Sequence, residues 1–162
     1  MKTLIMSALV LTIVGTAQAD FLSFDCKAPK GKNYYAEGGI ISAADAGWQD
    51  DGISRGHFLI RLNTETAGIS YQYKDANGTW WNPVEDEGAI QEVVAVNGDY
   101  NGSLQFAVIS AGPDFSTVTS IVLTGMFTGD AQMLITTARH GMMNNTSVMV
   151  ADCEASGTEL AQ

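Results

Sequence analysis

Basic residues are scarce in this chain: 8 Lys and Arg stand against 18 Asp and Glu, a net charge of −10 at neutral pH. Such an acidic chain repels phosphate backbones and anionic lipid surfaces, so nucleic acid is not an expected partner. Histidine is scarcer still, with His57 and His140 the only two. There is no H-E-x-x-H, and a catalytic zinc would be short of its usual three protein ligands. The chain lacks a C-x-x-C pair and a G-x-S-x-G elbow, which argues against redox and Ser-hydrolase chemistry. Its oxygen-rich turns, Asp50-Asp51-Gly52, Asp75-Ala76-Asn77-Gly78 and Glu85-Asp86-Glu87, lack the EF-hand spacing. His140-Gly141-Met142-Met143 offers soft donors for Cu(I). Methionines folding back on a core are the commoner meaning of such a loop, and no cofactor is expected.

Long apolar runs are also missing, apart from one at the start. Lys2, the apolar stretch Leu4–Val14 and Ala17-Gln18-Ala19 have the layout of a secretory signal peptide. Cleavage is expected after Ala19, leaving a periplasmic or secreted chain. The run is too short to span a bilayer core of roughly 30 Å, and nothing later is long enough, so no membrane span is expected. Losing Lys2 with the leader takes the net charge one unit below −10.

Cysteine occurs twice, at Cys26 and Cys153. In an oxidising compartment an even count fits a disulfide. These two lie near opposite ends of the exported chain, so a bridge would join the first strand to the last. Closing so long a loop is worth about 5 kcal/mol in the chain-entropy model.

No helical period of any length follows the leader; alternation does. Within Trp48–Leu62, Asp50-Asp51-Gly52 reads as a turn, after which Phe58, Ile60 and Leu62 share one face and His57 and Arg61 the other. Phe21–Cys26 reads as a short strand, followed by a loop with three lysines around Pro29. Tyr34-Tyr35 and Ile40-Ile41 suggest strand on either side of Gly38-Gly39, and Ala43–Ala46 a helical turn. Ile69–Lys74 and Thr79–Trp81 form the clearest hairpin. A type I turn with a glycine bulge would set Lys74 opposite Trp80 and Tyr73 opposite Trp81. Trp81 would then share the core face with the tyrosines, and Trp80 would lie outside within reach of the Lys74 ammonium. A two-residue Asn-Gly turn would exchange the tryptophans.

Asn82–Gly88, with Pro83, reads as a loop or sheet edge. Strands are expected at Ile90–Val96, Ser103–Ile109, Thr117–Thr124, Ala131–Thr137 and Ser147–Cys153. Loops are expected at Ala111–Ser116 and Arg139–Thr146. There is no fixed-period repeat and no linker.

The expected architecture is therefore all-β: one domain over residues 20–153, a β-sandwich or up-and-down β-barrel of about eight antiparallel strands, then a flexible tail over 154–162. The expected function is a non-enzymatic binding or interaction module for a protein, glycan or small molecule. Trp80, Lys74, Asp50, Asp51, Arg55 and Tyr100 are the candidate contact residues, and aromatic groups are favoured at such surfaces. The competing expectations are a small secreted hydrolase using His57 or His140, and a structural envelope or matrix component assembling through sheet edges.

Overall fold

A computed structural model describes residues 21–53, 55–74, 77–86, 88–97 and 102–157. The expected leader, Tyr100 and the end of the expected tail lie outside them. Ten strands form one antiparallel sheet: β1 (Phe21–Tyr35), β2 (Gly47–Gly52), β3 (His57–Asn63), β4 (Ile69–Lys74), β5 (Trp80–Trp81), β6 (Ile90–Asn97), β7 (Ser103–Gly112), β8 (Phe115–Thr124), β9 (Gln132–Gly141) and β10 (Asn145–Gly157). The order is β5-β4-β3-β1-β10-β9-β8-β7-β6, with β2 paired to β1 off that path. The sheet curls on itself into a half-barrel instead of splitting into the two layers of a sandwich. The curl is closed in part by a side chain, where Gln91 Nε2 donates to the Ile69 carbonyl at 2.8 Å.

The first and last long strands run side by side at the centre. Cys26 lies directly opposite Cys153 in the β1–β10 ladder, and the two form the expected disulfide across 127 positions of sequence. Among the described residues no helix is long and apolar enough to cross a membrane.

β1 departs from the expected short strand. It continues through Pro29 to Tyr35 because its register shifts between Lys27 and Lys30. Pro29, which has no N–H to give a ladder, sits in that bulge and is fully buried. The bulge lets one strand serve two partners: residues before it pair with β3, residues after it with β2. Asp50-Asp51-Gly52, expected as a turn, is therefore the end of β2. Gly31, just past the bulge, allows the close approach to β10, for a Cβ there would fall on the Val148 carbonyl.

Other differences have local causes. Ile40-Ile41 is not strand; Ile41 makes only a single bridge to Gly38. Asn82–Gly88 is not a plain loop. Its start is a one-turn helix, α1 (Pro83–Asp86), with Pro at the first helical position. Asn82 Oδ1 accepts from the Val84 and Glu85 amides at 3.1 and 3.4 Å, and the Asp86 carboxylate accepts from the Asn82 amide at 2.6 Å. That reciprocal pair resembles a capping box, closed here by the fourth helical residue in place of the third. β9 and β10 run through most of the expected Arg139–Thr146 loop, and β10 continues past Cys153 to Gly157.

The concave face holds the core. Phe24, Ile60, Leu104, Phe106, Ile121, Leu123 and Met133 are all at 0% exposure, each contributing roughly 1.5–3 kcal/mol of burial. These residues fill one end of the half-barrel. At the other end the same inward faces change character. Ile121 gives way to Thr119 and Thr117, Ile135 to Thr137 and Arg139, Met149 to Ser147 and Asn145. The register aligns these changes into two cross-strand rows. One runs Val108, Thr119, Thr137, Ser147, Asn33; the next runs Ser110, Thr117, Arg139, Asn145, Tyr35.

Candidate functional site

Where the inward faces turn polar, the half-barrel is not filled. A cavity of about 480 Å³ opens there, within the 300–1,000 Å³ usual for small-molecule sites. Phe58, Tyr71, Tyr73, Val108, Ile135 and Met149 form its apolar side. The three rings stack on one another, with centroids 6.1 to 6.3 Å apart. Strict alternation along β3 and β4 aims them inward together. Thr117, Thr119, Thr137, Ser110 and Ser147 supply hydroxyls on the opposing wall, and Pro83 of α1 closes one side.

Two residues of the polar wall differ from the hydroxyls. Arg139 is exposed at the cavity mouth, its guanidinium 5.7 Å from the centre of the Phe115 ring. It makes no ion pair among the described residues. Asn145, directly opposite it on β10, has a buried Oδ1 with no hydrogen-bond partner among the described residues. Its other end is held: Nδ2 donates to Asn33 Oδ1 at 3.1 Å. Asn33, 5% exposed, donates in turn to Asp51 Oδ2 at 3.2 Å and to the Tyr35 hydroxyl at 3.1 Å. Because a carboxylate only accepts, Asp51 fixes which end of Asn33 faces it, and Asn33 then fixes Asn145. The unpartnered oxygen is thus fixed in place, buried behind the cavity surface.

The residues singled out from sequence fall in different places. Lys74 and Trp80 are opposite each other in the β4–β5 ladder, and Tyr73 is opposite Trp81, the register expected of the glycine-bulge turn. Trp80 is 41% exposed on the convex face. The Lys74 ammonium lies 5.9 Å from its ring centre, and the His57 ring meets it at a tilt of 56°, centroids 4.7 Å apart. His57 Nε2 is hydrogen-bonded to the Asp25 carboxylate, which also pairs with Lys27 at 3.2 Å. Hydrogen bonding to Asp25 and its charge, then the charge of Glu154, raise the Lys27 ammonium above its usual 10.5.

Asp50 points outward from β2 and pairs with Lys32 at 2.7 Å, a hydrogen bond that lowers its carboxyl below the usual 3.8. Asp51 belongs to the Asn33 network. Arg55 is exposed in the connection from β2 to β3. The fold does not gather these residues into one site. It makes a convex Lys74–Trp80–His57 cluster and a β1–β2 ribbon whose Asp51 supports the cavity from behind.

Neither histidine lines the cavity. Among the described residues no group of three His, Cys, Asp or Glu is placed to hold a metal ion. The sequence reading missed the cavity because Arg139 and Asn145 fell in an expected loop. The signal was the period-2 face of the last strands, which passes from aliphatic to Thr, Ser, Asn and Arg within one strand. No family model, curated protein or solved structure matches the chain.

Proposed function

We propose that this protein is an exported, non-enzymatic binding module that holds a small molecule with an apolar body in the open end of its half-barrel. The observation that carries this reading is the cavity of about 480 Å³, with stacked rings on one wall and hydroxyls on the other. A floor of this kind takes up apolar surface at roughly 25 cal/mol per Å², while the facing polar groups set orientation. The β1–β10 ladder holds the wall in place and the disulfide across it stabilises the folded chain outside the cell; a preformed site loses less entropy on binding.

The test is uptake of an environment-sensitive dye such as anilinonaphthalene sulfonate by the folded, disulfide-intact protein. Saturable, equimolar enhancement is expected. A Val108→Trp variant, which fills the cavity from its apolar side, should abolish the enhancement while keeping the far-ultraviolet circular dichroism of the parent. No saturable uptake, or uptake indifferent to Val108→Trp, would overturn the proposal.

A further inference from the structure

We infer that the ligand is an anionic amphiphile, a carboxylate carried on an apolar tail. This rests on the cavity reading above and names the chemistry of its occupant.

The tail is assigned by the stacked rings of Phe58, Tyr71 and Tyr73. The charge is assigned by Arg139. In a chain of net charge −10 an arginine is expected to find a carboxylate, yet this one reaches none among the described residues. A cation–π contact, 5.7 Å from the guanidinium carbon to the ring centre of Phe115, keeps the head group beside the cavity mouth. A guanidinium so placed offers paired N–H donors, a match for a carboxylate.

The experiment is calorimetric titration of the folded, disulfide-intact protein with decanol and decanoate, each below its micelle or solubility limit. Decanoate should bind about tenfold more tightly than decanol. In Arg139→Gln the decanoate-to-decanol ratio should fall to near one.

Equal binding of decanol and decanoate by the unmodified protein would overturn the inference while leaving the cavity reading intact. No binding of either compound, together with failed dye uptake, would remove both. The comparison of the two on the unmodified chain decides the matter by itself, so the result holds even if Arg139→Gln fails to fold.

Discussion

Arg139 and Asn145 face each other across the β9–β10 ladder, yet only one of them is held by the protein. Asn145 is tied through Asn33 to the Asp51 carboxylate, while Arg139, over the ring of Phe115, makes no ion pair among the described residues. The cavity lining thus sets a side chain fixed by a network beside a cation that reaches no carboxylate among those residues. The fixed half has an energetic signature. Asn33→Ala removes the partner of both Asp51 and Asn145 at a position only 5% exposed. The expected loss is about 1–3 kcal/mol of stability, read from the urea unfolding midpoint at unchanged slope. A loss below about 0.5 kcal/mol, the level of an ordinary surface substitution, would mean that the three side chains do not act as a network.

Cys26 and Cys153 give a second expectation. Their strands are already neighbours throughout β1 and β10, so the ladder itself positions them. The bridge acts mainly on the unfolded chain, whose ends it holds together across 127 residues. The double substitution Cys26→Ala, Cys153→Ala should retain the strand signature in circular dichroism and lose about 4–5 kcal/mol of stability. Guanidinium unfolding with and without reductant measures this. Insensitivity of the parent to reductant, at matched denaturant, would contradict it.

The contrast between those two cases shows what the sequence made legible. The disulfide could be read because it needs only cell compartment, parity and position in the chain. The hairpin register at Lys74–Trp80 could be read because local turn chemistry sets it. The sandwich-or-barrel choice could not, since it depends on how far a sheet curls, a property summed over all its strands. The cavity needed more still. Asn33 and Asn145 meet because β1 is long, bulged at Pro29 and central, whereas Pro29 and its lysines read locally as a loop. Arg139 and Asn145 were lost to a loop for the same reason: Gly141 and Asn144-Asn145 are turn formers by composition, and only the long-range pairing of β9 with β10 keeps their neighbours extended.

Two surface pairs set an expected pH response. Lys32 lowers the Asp50 carboxyl below 3.8. A carboxylate lowered on folding stabilises the fold above its unfolded value and loses that contribution as pH falls through the folded one. Lys27 is raised above 10.5 by Asp25 and then Glu154, so its contribution is present below that value and lost as pH rises through the raised one. Asp50 is fully exposed, and screening keeps the effect small and sensitive to salt. Asp50→Asn should therefore melt slightly below the parent at neutral pH in low salt. The two melting curves should converge as pH falls below 3.8 and through the lowered value of the folded carboxyl. A difference that persists unchanged into acid would show that Asp50 acts through something other than its charge.

The convex cluster supplies the last expectation, and it separates the two surfaces. Trp80 carries a ring contact to His57 at 4.7 Å and a cation contact to Lys74 at 5.9 Å. The first is worth about 0.5–1.5 kcal/mol beyond area and the second, on an exposed ring, about 0.5–1 kcal/mol. Trp80→Ala should cost about 1–2 kcal/mol on that basis. A double-mutant cycle with His57→Ala should show coupling of about 0.5–1.5 kcal/mol. Trp80 points away from the cavity, because its neighbour Trp81 pairs with Tyr73 and alternation sends Trp80 to the other face. Uptake of dye and decanoate should therefore survive Trp80→Ala within about twofold. If uptake instead fell with Trp80→Ala and stayed intact in Val108→Trp, the binding surface would lie on the convex aromatic face, and the half-barrel interior would be core alone.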